Sequence, residues 1–146
     1  PPQFVRWTEN SLPQDVQWAS LKRPARAIEK ALRAYGGDVW RLTDVVRGSL
    51  YFEDVDSLVQ CVEMMVRDHD VMVERINNRL SPSFDASKTA GCRDVTLNLR
   101  VVTEETMAIG IDTHIAEIQL ILTSFAAIKH SHGHKQYVEF RNARGE

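Results

Sequence analysis

Residues 114–122, His-Ile-Ala-Glu-Ile-Gln-Leu-Ile-Leu, constrain the fold more than any other stretch of this chain. Along an extended strand, i and i+2 point to one side. Ala116, Ile118, Leu120 and Leu122 therefore form one apolar face, while Glu117 and Gln119 share the other with Ile115 and Ile121. A strand covered on both sides reads as continuously apolar, so this one belongs to a layered sheet with one face open to polar surroundings. Burying an unpaired carboxylate is costly, so Glu117 must meet water, a cation or a polar ligand. Two readings stay open at this point: a solvent-facing strand of a two-layer domain, or the floor of a site.

The remaining segments supply the other elements. Residues 21–35 place Leu21, Ala25, Ile28, Leu32 and Tyr35 at helical spacing before a Gly36-Gly37 stop. A β-branched and aromatic run predicts a strand over 45–52, and Asp54 then caps a helix striped by Val55, Leu58, Val59, Val62, Met65 and Val66. Strands are expected over 71–76 and 95–101, separated by a polar loop at 81–91, with a further loop at 103–113 and a closing helix over 124–141. The order α-β-α-β-β-β-α predicts an α+β fold: a central mixed or antiparallel sheet of about four to five strands flanked by helices. Residues 1–22, with Trp7 and Trp18, read as a lead-in segment packed on a domain formed by 23–146. Trp40 is expected to pack as well, and Met64 and Met65 to fill core.

The 146 residues suit one domain, and a net charge of -2 gives no general attraction to nucleic acid. No apolar run is long enough to span a bilayer and none reads as a signal peptide. Cys61 and Cys92 form neither a disulfide nor a zinc pattern, so a reducing, cytoplasmic setting is expected. Opening on Pro1-Pro2 without Met, the chain reads as an excerpt of a longer protein whose flanking regions could bind protein partners.

Polar groups collect at strand ends and on one helix. Lys22, Arg26, Lys30 and Arg33 make a cationic stripe, with Arg23 beside it, that fits either a solvated face or a phosphate-binding one. Asp44 and Arg47 bracket the first strand, Arg75, Asn77 and Arg79 end the second, Asn98 lies in the third, and Glu117 and Gln119 in the fourth. Two acids, several guanidinium groups and amides are what a polyphosphate site with a divalent metal requires, since Mg²⁺ takes carboxylate and phosphate oxygens. His130, His132 and His134 do not form a zinc site on spacing, because His132 points away from the other two in a helix. His134 and Tyr137, three residues apart, either reach a nucleotide or pack on the sheet.

These segments resemble, in order, the RelA/SpoT-type nucleotidyltransferase domain, the synthetase of the alarmones ppGpp and pppGpp. Lys22-Arg23-Pro24-Ala25-Arg26 with Lys30 is similar to its basic helix, and Thr43-Asp44-Val45-Val46-Arg47 to its Asp-Leu-x-x-x-Arg strand. Gly91-Cys92-Arg93-Asp94 is similar to its Gly-Tyr motif, Ala116-Glu117-Ile118-Gln119 to its Glu-x-Gln strand, and Gly133-His134-Lys135-Gln136-Tyr137 to its closing helix. The resemblance implies a nucleotidyltransferase-like fold and transfer of pyrophosphate from ATP to the 3′-hydroxyl of GDP or GTP, with Mg²⁺ as cofactor. It implies that Asp44 and Glu117 form the catalytic, metal-holding pair. Arg23, Arg26, Lys30 and Arg47 would then bind the donor nucleotide, Gln119 would orient the acceptor, and Arg75, Asn98, His134 and Tyr137 complete the nucleotide-binding set.

The chain departs from that pattern at Cys92, where the family carries a stacking Tyr, at Ala25, where many members have Lys, and at Leu120-Ile121-Leu122 in place of Ile-Arg-Thr. Loss of a stacking ring costs a base about 1–3 kcal/mol of binding. The alternative expectation is therefore a catalytically degenerate domain that keeps the fold and serves as a nucleotide-binding or protein-interaction module in a larger protein.

Overall fold

The computed structural model describes residues 8–12, 16–89 and 91–128. Helix α1 spans Pro24–Tyr35, β1 Val46–Phe52, α2 Val55–Arg67, β2 Val71–Asn78, β3 Val95–Val101, α3 Glu104–Ala108, β4 Ala116–Leu122 and α4 Thr123–Ile128, with short 3-10 turns at Val39–Arg41 and Ala86–Thr89. The four strands form one mixed sheet in the order β1-β4-β3-β2. β1 and β4 run parallel, and β3 is antiparallel to both β4 and β2. The expected α+β class and the order of the main elements are those observed.

One face of the sheet is the core. Leu97 and Leu120 are fully enclosed, and Val95, Leu99, Leu122 and Leu58 of α2 are buried with them. Asp54 starts α2 by accepting the Ser57 N–H at 2.7 Å, as its type and position predict. The apolar stripe of α2 is narrower in practice. Leu58, Val62 and Met65 meet the core, whereas Val55, Val59, Val66 and Met64 are exposed, so Met64 does not fill core. A helix lying on a twisted sheet buries only the residues facing it.

Three further expectations change. Helix α1 begins at Pro24, not at Leu21, because the proline ring suits the first helical turn, where no N–H partner is needed. Leu21, ahead of the helix, is exposed, as are the helix's own Ile28 and Leu32, and its buried residue is Ala31. Trp18 and Trp40 do not pack: they are 76% and 90% exposed. The 103–113 loop contains α3, opened by a capping box in which Thr103 and Thr106 exchange side-chain and backbone hydrogen bonds. Trp7 and the part of the closing helix beyond residue 128, with its three histidines and Tyr137, lie outside the described residues. No helix among the described residues is long and apolar enough to cross a membrane.

A β-bulge at Glu74 decides what the other face carries. Val73 pairs with Leu99, but Arg75 pairs with Asn98, leaving Glu74 as the extra residue. Strict alternation would place Arg75 beside Val71 and Val73 on the core face. The bulge turns it to the opposite side, and Ile76, paired with Leu97, takes the core side instead.

Candidate functional site

Strand register builds two polar rows across the face opposite the core. The first runs Arg47 on β1, Glu117 on β4, Asn98 on β3 and Arg75 on β2. The second runs Ser49, Gln119, Thr96 and Asn77. Gln119 Nε2 donates to Glu117 Oε1 at 3.1 Å, which ties the rows together, and Arg75 Nε donates to Asn98 Oδ1 at 3.0 Å. Asn98 Nδ2, turned away from Arg75, is enclosed and without a partner among the described residues. Glu117 is half-buried and makes no ion pair among the described residues, and neither does exposed Arg47. The row thus holds a carboxylate flanked on β1 by a guanidinium and on β3 by an amide, with a second guanidinium beyond.

The second acid sits in a different environment. Asp44 lies just before β1 and is buried, with Lys22 and Lys30 both donating to its Oδ2, the latter at 2.9 Å. Its Oδ1 is enclosed and has no partner among the described residues. Burial pushes the Asp44 carboxyl up, but the hydrogen bonds from the two lysines outweigh it and hold the group below the usual carboxylate range. The lysines respond in opposite directions. Burial dominates at Lys22 and lowers its value, helped by the charges of Lys30 and Arg47. At Lys30 burial is overcome by the Asp44 bond, and the value rises. Lys30 also interacts with Tyr35, which raises its value further, whereas Lys22 has only the shared Asp44 to offset its burial and its cationic neighbours. The Lys22 N–H donates to the Val45 carbonyl, two residues before Arg47, so this cluster lies beside the β1 end of the first polar row.

The cationic stripe of α1 is therefore partnered from within, two cations to each acid. Lys22 and Lys30 engage Asp44, and Arg26 and Arg33 both engage Glu29. Arg23 occupies the exposed N-cap position, with no acidic partner among the described residues. Tyr35 lies under both Lys30 and Arg41, with ring-centre distances of 5.5 and 5.0 Å.

The end of the sheet where β2 meets β3 is, by contrast, closed upon itself. Arg79 Nη1 bonds Asp94 Oδ1 at 3.0 Å, and Thr96 Oγ1 is directed at the same oxygen. Arg93 Nη1 donates to the carbonyls of Arg79 and Ser81, Nη2 donates to that of Phe84, and the guanidinium rests over the Phe84 ring. Arg93 so fixes the loop that carries Cys92, whose carbonyl accepts from Thr89 Oγ1 at 2.7 Å.

Of the residues expected from sequence, the sheet register assembles Arg47, Glu117, Gln119, Asn98 and Arg75, and Asp44 gathers Lys30. Arg23 and Arg26 stand on the exposed side of α1, and His134 and Tyr137 lie outside the described residues. Lys22 as a partner of Asp44, and the second row of Ser49, Thr96 and Asn77, were not expected. Thr96 was legible, because alternation through 95–101 places it beside Asn98; the pairing of rows was not, because it requires strand order.

No family model and no curated protein matches the chain. Solved structures do. Small alarmone synthetase 1 from Bacillus subtilis, bound to its product pppGpp, superposes with a TM-score of 0.61 at 19% identity, over 86% of this chain and 67% of that one. A GTP pyrophosphokinase family protein from Streptococcus pneumoniae gives 0.61 at 19% identity, over 80% of this chain. The chain spans only 57% of that protein's length. The Bacillus subtilis synthetase bound to AMPCPP gives 0.51 at 20% identity, over 86% of this chain and 66% of that one. The mixed sheet, its flanking helices and its polar face thus have the fold of the RelA/SpoT-type small alarmone synthetases, in a strongly diverged sequence.

Proposed function

We propose that the polar face of the sheet is a nucleotide site for pyrophosphate transfer from ATP to the 3′-hydroxyl of a guanosine nucleotide, GDP or GTP. The observation that carries this reading is the cross-strand row Arg47, Glu117, Asn98, Arg75: a half-buried carboxylate that makes no ion pair among the described residues, with guanidinium groups on both sides of it. That proteins of this fold bind an ATP analogue and pppGpp supports it.

In this reading the 3′-oxygen forms a bond to the β-phosphorus of ATP, the bond from that phosphorus to the α-β bridging oxygen breaks, and AMP leaves. Glu117 would take the hydroxyl proton at Oε2, the oxygen that Gln119 leaves free. Arg47, Lys30, Arg23 and Arg26 would bind the phosphates, with Arg75, Asn98 and Gln119 orienting the acceptor. Mg²⁺ fits the donor set in kind: Asp44 Oδ1 is an oxygen without a partner among the described residues, and Glu117 lies across from Arg47, itself three residues beyond Asp44 along the chain. Bound between the two acids and the phosphates, it would offset the charge of the transferred group.

A second reading is a nucleotide-binding or protein-interaction module without catalysis. The occupation of Asp44 Oδ2 by two lysines favours it, as does the absence of a ring at Cys92. Incubation with ATP, Mg²⁺ and each of GDP, GTP, GMP and AMP, followed by nucleotide chromatography, separates the two. A pyrophosphorylated guanosine product that disappears in Glu117→Gln supports transfer. Product that survives Glu117→Gln refutes this assignment of the base, and nucleotide binding by calorimetry without product leaves the non-catalytic module.

A further inference from the structure

Lys22 and Lys30 share one oxygen of Asp44, and Arg47, near the Val45 carbonyl that accepts the Lys22 N–H at the start of β1, makes no ion pair among the described residues. Asp44 and Glu117, the cross-strand neighbour of Arg47, set two carboxylates against these three cations, so the cluster keeps excess positive charge, and such a cluster draws anions. A phosphate chain offers several acceptor oxygens where Asp44 offers a single shared one, so it can satisfy all three cations together. The approach is open: Lys30 is one third exposed and Arg47 is exposed, while Lys22 and Asp44 lie beneath them.

We propose that Asp44 acts as an internal stand-in for phosphate, holding Lys22 and Lys30 until a polyphosphate chain takes both lysines together with Arg47 and releases the carboxylate. This rests on the reading of the site as a nucleotide site and adds a competition within it. The competition lowers phosphate affinity in proportion to the time the lysines spend on Asp44. It also frees Asp44 Oδ2, beside the already unpartnered Oδ1, for a divalent cation once phosphates have arrived, so that the two ligands raise one another's affinity. Helix α1 is the element that responds. Among the described residues it buries only Ala31, and it is tied to the start of β1 by these lysines and by the Lys22 N–H bond to the Val45 carbonyl.

The probe is sodium tripolyphosphate, titrated into the full chain in EDTA and followed by calorimetry. Asp44→Asn is expected to bind it about tenfold more tightly than the unsubstituted protein, because the competitor is gone. Glu29→Gln removes a carboxylate from the same helix but not from the lysine pair, and should change affinity by about twofold at most. Lys22→Gln with Lys30→Gln should weaken binding at least about tenfold. In the unsubstituted protein, the Asp44 carboxyl carbon signal in ¹³C NMR should move on saturation as its ammonium partners leave, a readout that does not depend on any variant folding. Equal or weaker binding by folded Asp44→Asn, or an Asp44 signal unmoved at saturation, overturns the competition and leaves the nucleotide site standing. If neither tripolyphosphate nor ATP binds any form, both readings fall.

Discussion

The two ends of the polar face are built on opposite principles. Where β2 meets β3, Asp94 has its arginine, Arg93 bonds three carbonyls, and the loop between the strands is held from within. Around α1, β1 and β4, among the described residues, Glu117 and Arg47 make no ion pair, Asp44 has one crowded and one unpartnered oxygen, and α1 turns apolar residues to solvent. Buried polar groups are normally satisfied, so the first region is scaffold and the second is where a ligand's atoms are wanted. The difference predicts that substitutions at the β2-β3 end cost stability, while those at the other end cost chemistry.

The largest effect should come from Glu117→Gln, which keeps shape and removes the base. Product formation should fall about 10³-fold, with melting temperature unchanged within error; a large loss of stability would mean that Glu117 belongs to the scaffold. Next, Arg79→Ala leaves buried Asp94 without its cation and should cost about 3 kcal/mol in denaturant unfolding, with nucleotide affinity intact in the folded fraction. An unchanged midpoint would erase the contrast between the two ends.

A smaller effect concerns pH. Because the folded Asp44 carboxyl sits below its ordinary value of 3.8, its contribution is whole above that pH and is lost as pH falls through the lowered folded value. Acid unfolding curves of the unsubstituted protein and Asp44→Asn should therefore run parallel above 3.8 and converge below it. Least of all, Glu29→Gln breaks the exposed pairs with Arg26 and Arg33 and should shift stability by about 0.5 kcal/mol or less. A larger shift would show that the stripe on α1 is structural.

The sequence made much of this legible, and unevenly. Alternation in 95–101 and 114–122 defined the two faces of the inner strands, and Asp54 announced α2, because both signals are local. The Arg75 side was not legible, since a one-residue bulge reverses it and nothing in Val-Glu-Arg-Ile marks the spot. Helix α1 misled for a related reason. Its apolar spacing is sound, but the face it turns inward is chosen by Asp44, which captures Lys22 and Lys30 from a separate segment of chain. Of the candidate site, residue types were readable and partnerships were not. Asp44 beside Arg47 suggested an acid free to hold a metal, whereas the fold first gives it two ammonium groups.

Strand order carries one more consequence, for the moment when this protein is made. Among the described residues β1 has a single neighbour, β4, and their first paired residues, Val46 and Ala116, lie 70 positions apart. During synthesis β1 must therefore wait, unpaired, until β4 has emerged; at about 5–20 residues per second that is several seconds. Only insertion of Ala116–Leu122 between β1 and β3 brings Glu117 to Arg47 and Asn98. A nascent chain stopped short of that strand carries Arg47 on one side and Asn98 with Arg75 on the other, without the carboxylate that joins them into one row.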